Sequence, residues 1–142
     1  MLKPTPVISI VDDDLSVRRA LRRLIQSAGY LVETHASADD FLGSAPSARI
    51  GCLVLDIHLA GMNGFELQER LASDQISIPI IFITAHDDPA TRERIRASGA
   101  AGYLGKPFDP QALLDAIHRV AGSAYRAPHQ LTQASRPRRS RI

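Results

Sequence analysis

Polar residues that end apolar runs set the chemical question. "VDDD" places carboxylates at Asp12, Asp13 and Asp14 directly after the β-branched run "VISIV" (7–11), and "LVLDIHLAGMNG" (53–64) carries a second apolar run into a single acid, Asp56. A third run, "IPIIFIT" (78–84), ends on the hydroxyl of Thr84, and "AGYLGKP" supplies Lys106 and Pro107. Three nearby carboxylates in a partly buried cleft repel one another and call for a cation. Oxygen donors of this kind suit Mg²⁺, which accepts one or two carboxylates and keeps several waters. Asp56 with a metal, a hydroxyl and a lysine is a set fitted to phosphoryl transfer. The carboxylate acts as nucleophile and forms an aspartyl phosphate, while the metal, Lys106 and the Thr84 hydroxyl stabilise the equatorial oxygens of the moving group. Lys106 stands out because the chain has two lysines, Lys3 and Lys106, against fifteen arginines. A compact ammonium meets phosphate as a point charge, unlike an arginine fork. The plainer role for "DDD" is a solvated turn that caps a helix, and Asp14, directly before one, keeps that role.

These groups meet only if the elements between them bring the apolar runs side by side. "LSVRRALRRLIQSAG" places Leu15, Leu21, Leu24, Ile25 and Ala28 on one helical stripe with arginines opposite, and it stops at Gly29. "YLVETHA" (30–36) alternates like a strand, and "SADDFLGSA" opens with a Ser cap and acids in the first turn. "CLVLD" is the third strand, "GFELQERLAS" an amphipathic helix, and "IPIIFIT" the fourth strand. "DPATRERIRASG" and "DPQALLDAIHRVAG" each open on Asp-Pro, and a short fifth strand in "AGYLGKP" separates them. Five strand–helix units in a row predict an α/β fold: a doubly wound parallel sheet with helices on both faces. The continuously apolar third and fourth strands belong in its middle. Ligands of such sheets bind outside the carboxyl ends of the strands, which is where the polar residues collect.

Length and charge narrow the class. The chain has 142 residues, 44% of them hydrophobic, enough for one ordinary core. The lone cysteine, Cys52, lies within an apolar run and reads as a small core residue. No stretch approaches the roughly 20 apolar residues of a membrane span, and the N-terminal apolar run is too short for a signal peptide, so a cytoplasmic protein without membrane contact is expected. Through Gly122, twelve bases and fifteen acids give a net charge of −3, whereas residues 123–142 carry +5. That second stretch has no periodic apolar face and is expected to be a basic, disordered tail.

Taken in order, "IVDDD", "LVLDIHLAGMNGFEL", "IFITAHDD" and "GYLGKPFDP" resemble a bacterial response-regulator receiver domain of the FixJ type, over about residues 5–121. The resemblance implies a flavodoxin-like (βα)5 sheet of strand order 2-1-3-4-5, within a receiver domain spanning residues 1–122. It implies Mg²⁺ held by Asp12, Asp13, Asp56 and the backbone carbonyl of His58, and phosphoryl transfer to Asp56 from a sensor histidine kinase. Thr84 then matches the switch hydroxyl, Lys106 the phosphate-binding lysine and Tyr103 the rotating switch aromatic. His58 and His86 match positions near the entrance to the phosphate that influence its lifetime. The plainer alternative for each is a partly exposed loop histidine. The chain departs from the family pattern at Leu59-Ala60, where receivers commonly carry Met-Pro. Loss of that proline adds unfolded-state entropy and one backbone donor but removes no ligand.

The resemblance also implies a conformational change on the fourth helix, fifth strand and fifth helix, a surface through which related receivers form homodimers. It carries Arg92, Arg94, Arg96 and Arg119 beside Glu93 and Asp115. FixJ-type regulators carry a helix-turn-helix domain after the receiver, but no recognition helix can be drawn in "APHQLTQASRPRRSRI". The expectation is a single-domain signalling module acting on a downstream protein, with no specific DNA binding, since five arginines in a tail give only non-specific attraction. Two alternatives come from other classes. One is a Mg²⁺-dependent phosphatase with Asp56 as nucleophile, although its usual second carboxylate two residues on is replaced by His58. The other is a receiver-like dimerisation module that is never phosphorylated, against which the intact set of Asp12, Asp13, Asp56, Thr84 and Lys106 argues.

Overall fold

The structure is a computed structural model that describes residues 5–47 and 49–122. In chain order the described residues form β1 (Val7–Val11), α1 (Leu15–Ser27), β2 (Leu31–His35), α2 (Ala38–Gly43), β3 (Ile50–Asp56), α3 (Gly64–Ser73), β4 (Ile80–Thr84), α4 (Pro89–Ser98), β5 (Gly102–Gly105) and α5 (Pro110–Ala121). The strands make one parallel sheet of order β2-β1-β3-β4-β5. The chain steps outward from β1 to β2 and then returns to the other side of β1 for β3, β4 and β5. That reversal opens a cleft at the carboxyl ends of β1 and β3.

Each helix starts where a short polar side chain satisfies free backbone N–H groups. Asp14 accepts from the N–H groups of Ser16 and Val17, and Ser37 accepts from Asp40. Asn63 and Glu66 form a reciprocal capping box at the start of α3. Asp88 and Asp109 cap the two helices that open on Pro89 and Pro110. At the other end of α4, Gly99 takes the left-handed conformation (φ 79°) that a side chain would resist.

Alternation along the central strands divides the core between the two faces. Leu53, Leu55, Ile80 and Phe82 face one side, against Phe41 of α2, Phe65, Leu67 and Leu71 of α3, and Ile95 of α4. Cys52, Val54, Ile81 and Ile83 face the other, against Leu21 and Ile25 of α1 and Leu113, Ala116 and Ile117 of α5. Complete burial of such a side chain contributes about 1.5–3 kcal/mol. Among the described residues α4 buries Ile95 alone whereas α5 buries Leu113, Ala116 and Ile117, so α4 is the less firmly anchored helix.

Three local expectations are corrected. Leu15 is 49% exposed and Ala28 is exposed, so the inward stripe of α1 consists of Leu21 and Ile25 flanked by Val17 and Leu24. Leu15 opens the helix and Ala28 caps its end. Tyr30 precedes β2 rather than opening it. Its ring is buried, and its hydroxyl donates to the Gly122 carbonyl at 2.6 Å, tying the end of α5 to the start of β2. The expected basic tail, residues 123–142, lies outside the described residues.

Gly64 fixes how closely α3 approaches the end of β3. A Cβ there would stand 2.8 Å from the Asp56 carbonyl oxygen and 2.9 Å from Ile57 Cα, and the Gly64 N–H donates to the Ile57 carbonyl at 2.9 Å. Gly64→Ala is expected to destabilise the protein by about 1–3 kcal/mol in urea denaturation, because backbone on both sides must shift. Gly43→Ala, where a Cβ meets nothing within 4 Å, is the matched control and is expected to be neutral or slightly stabilising. Equal losses at both positions would contradict the close approach.

Candidate functional site

The polar residues that end the strands converge at the carboxyl edge. Asp12 follows β1 and is completely buried, Asp56 is the last residue of β3 and 6% exposed, and Thr84 is the last residue of β4 and buried. Asp13 reaches the same place from the exposed side, and single carboxylate oxygens of Asp12, Asp13 and Asp56 all lie within 4.8 Å of one another. Lys106, just past β5, completes the cluster. Its Nζ donates to Asp12 Oδ2 at 3.0 Å and stands 3.6 Å from Asp56 Oδ2. The Lys106 N–H donates to the Thr84 carbonyl at 2.7 Å, and the Lys106–Pro107 peptide bond is cis.

Backbone and side-chain donors hold the acids from below and behind. The Asp14 N–H donates to Asp12 Oδ1 at 2.9 Å, and the His58 N–H to Asp56 Oδ1 at 3.1 Å. Arg18 Nη1, one turn into α1, donates to the Asp12 carbonyl at 2.7 Å, a contact sequence reasoning missed. The six-residue spacing from Asp12 to Arg18 is the only signal that could have suggested it. On β4 the His86 N–H donates to Thr84 Oγ1 at 2.9 Å, which leaves the hydroxyl hydrogen free to serve another acceptor.

The charges are not balanced. Burial disfavours the Asp56 carboxylate most; the His58 N–H and Lys106 favour it, while Asp12 and Asp13 oppose it. The net result raises the Asp56 carboxyl above the usual aspartate range. Burial also disfavours the Lys106 ammonium, but its hydrogen bond to Asp12 and the charge of Asp56 outweigh that cost and raise its pKa. A hard, oxygen-only donor set with unneutralised negative charge fits a divalent cation that prefers carboxylates, and Mg²⁺ is such a cation.

Of the residues singled out from sequence, Asp12, Asp13, Asp56 and Lys106 are brought together, and Thr84 ends the strand beside Asp56. Asp14 caps α1 as expected. Tyr103 lies apart from the acids, half-buried on β5, opposite Phe82 and packed against the core on the α3 and α4 side. Ala60 is exposed, between buried Leu59 and the tight turn at Gly61. His58 and His86 are exposed on adjacent loops, and their rings touch, with centroids 4.3 Å apart. That pairing was missed, although each histidine lies two residues beyond a strand-ending polar side chain. A cleft of about 610 Å³ lies at the opposite end of the strands, between Leu71, Ile76 and Ala100, and is lined by no acid or base.

Comparison with known proteins agrees with this geometry. Residues 8–118 match the family described as "Response regulator receiver domain". Nodulation protein W of Bradyrhizobium diazoefficiens is 43% identical over 111 residues, 78% of this chain and 49% of that protein. The transcriptional regulatory protein FixJ of Rhizobium meliloti is 37% identical over 114 residues, 80% of this chain and 56% of that one. The chain therefore spans about half the length of these curated relatives. A response regulator receiver protein from Burkholderia phymatum superposes with a TM-score of 0.73 at 46% identity, covering 87% of this chain and 98% of that one. With its flavodoxin-like sheet of order 2-1-3-4-5 and its acids at the carboxyl edge, the chain belongs to the response regulator receiver family.

Proposed function

We propose that this chain is a phosphorylation switch of two-component signalling, in which Asp56 accepts a phosphoryl group. Receiver domains take that group from sensor histidine kinases and bind Mg²⁺ at an acidic cluster. The observation that carries the proposal is the convergence of Asp12, Asp13 and Asp56 within 4.8 Å, with Lys106 bridging Asp12 and Asp56. An Asp56 carboxylate oxygen attacks phosphorus, an O–P bond forms as the donor's N–P bond breaks, and the departing nitrogen takes a proton from solvent. Lys106 exchanges part of its pairing with the acids for the incoming phosphoryl oxygens. Thr84 donates its free hydroxyl hydrogen to one of them. Asp12, Asp13, Asp56 and the His58 carbonyl are the groups that would hold Mg²⁺. When bound, it supplies positive charge to the phosphoryl oxygens and relieves repulsion among the carboxylates.

The phosphatase alternative is weakened where the sequence put its weak point. His58 stands where a second carboxylate would be needed, so no acid side chain occupies the general-acid position two residues after Asp56. Signal output follows from the loose anchoring of α4. Movement of Thr84 toward the phosphoryl group pulls on the β4–α4 loop, and Tyr103, beside Phe82 on β5, turns inward. A second copy of the chain then docks on α4, β5 and α5. Sedimentation velocity with and without a beryllium-fluoride phosphoryl mimic tests this, and a mimic-independent monomer would count against it.

Incubation with Mg²⁺ and a small phosphoryl donor is expected to give an acid-stable, base-labile adduct on the wild type, and none on Asp56→Asn. An unchanged adduct on that variant would refute the assignment. Excess Mg²⁺ is expected to raise the unfolding midpoint of the wild type by binding the native state, and to do so much less in Asp13→Asn.

The raised carboxyl of Asp56 has a pH signature. Between the ordinary aspartate pKa and the raised one, the native state of the metal-free protein holds more protons than the unfolded state, so stability falls as pH rises through that interval. Asp56→Asn is expected to remove that fall and to be more stable than the wild type by about 1 kcal/mol at neutral pH without metal. Chemical denaturation at several pH values with chelator present checks both. A destabilised Asp56→Asn would contradict the charge imbalance.

A further inference from the structure

Two exposed imidazoles lie on the loops that directly follow β3 and β4, the strands ending in Asp56 and Thr84. His58 follows Asp56 by two residues, and His86 follows Thr84 by two. In each loop the histidine N–H folds back on the side chain that ends the strand, at 3.1 Å on Asp56 and 2.9 Å on Thr84. β3 and β4 are hydrogen-bonded neighbours, so equal turns on adjacent strands carry the two rings to the same place. Their centroids are 4.3 Å apart and their planes meet at 64°. Among the described residues no ring nitrogen of either histidine has a hydrogen-bond or ion-pair partner.

We propose that His58 and His86 together bind a borderline divalent transition metal, Zn²⁺ or Cu²⁺, at the rim of the cleft and separate from the carboxylate set. The donor chemistry sorts the two sites, because imidazole nitrogen favours zinc and copper whereas carboxylate and water favour magnesium. Metal–nitrogen bonds of about 2.0–2.1 Å put two nitrogens of one coordination sphere roughly 3 Å apart. Rings at the observed separation reach that arrangement by side-chain rotation, with the backbone of both loops already held by the strand-ending side chains. Asp12, Asp13 and Asp56 at the carboxyl edge of the sheet, and Asp87 and Asp88 following His86, draw cations to this edge of the molecule. Waters fill the remaining coordination positions. A metal so placed staples the β3–α3 loop to the β4–α4 loop across the opening. On the reading of Asp56 as phosphoryl acceptor, it obstructs the donor and restrains Thr84.

Binding is measured first with the metal alone, by titrating Zn²⁺ calorimetrically into the full chain in excess Mg²⁺. The expected result is one Zn²⁺ per chain, with affinity roughly tenfold or more weaker in both His58→Ala and His86→Ala and retained in Asp13→Asn, His118→Ala and His129→Ala. With Cu²⁺, the paramagnetic resonance spectrum is expected to show coupling to imidazole nitrogen that either rim variant reduces. Wild-type affinity in the two rim variants, or loss in Asp13→Asn in their place, would overturn the site by putting the metal on the carboxylates. The capping effect is read as the ratio of adduct formation with and without Zn²⁺, each protein compared with itself. A several-fold fall in the wild type that disappears in His86→Ala supports it, and an unchanged ratio with metal bound overturns it. Absence of any adduct on zinc-free wild type would overturn the Asp56 reading instead, with the calorimetry still deciding the metal site.

Discussion

Mutual repulsion among Asp12, Asp13 and Asp56 is the constraint around which the rest of the molecule is arranged. Two unit charges about 4 Å apart interact by about 4 kcal/mol at an effective dielectric of 20, and more where burial is complete. Asp12 and Asp56 are both nearly or wholly buried, and among the described residues Lys106 is the one cation that touches their carboxylates. One ammonium cannot neutralise three acids. The cluster therefore carries unfavourable charge that a divalent cation would relieve, and on the proposed function an incoming phosphoryl group is tolerated only when positive charge accompanies it.

The fold supplies what such a cluster requires, a rigid edge on which side chains cannot drift apart. β3 lies between β1 and β4, with apolar side chains filling both faces, so Asp56 is fixed by its strand's register. The close approach at Gly64 brings the start of α3 against the Asp56 backbone, and Arg18 fastens the Asp12 carbonyl to α1. Rigidity on this side contrasts with α4, which buries Ile95 and is otherwise held by surface contacts such as Arg94 over the Phe65 ring and the Gln68 amide on Ser98. The chemistry is built on the immobile elements, and the element free to respond adjoins Thr84 through one short loop.

Much of this could be read from the chain because local and tertiary signals agree. Short polar caps, Asp-Pro openings and uninterrupted apolar runs located the helices and central strands to within a few residues, and the polar strand ends then had to meet. Periodicity reports which way a residue faces but not whether anything lies opposite, so Leu15 and Ala28 share the inward stripe and are nonetheless exposed. Tyr30 fits the alternating pattern of the strand, yet it precedes β2 and its hydroxyl bonds the Gly122 carbonyl, ninety-two residues on. The contact between His58 and His86 was hidden because it depends on two turns of equal geometry on neighbouring strands, and no linear spacing encodes that neighbourhood.

On the proposed function, Asp56 and no other acid of the charge-frustrated edge carries the phosphoryl group. Borohydride reduction converts an aspartyl phosphate to homoserine, which peptide mass spectrometry locates by residue. After treatment with a small phosphoryl donor, homoserine is expected at position 56 in the presence of Mg²⁺ and not when Mg²⁺ is chelated. Homoserine at position 12 or 13, or the same yield at position 56 with and without the metal, would contradict it.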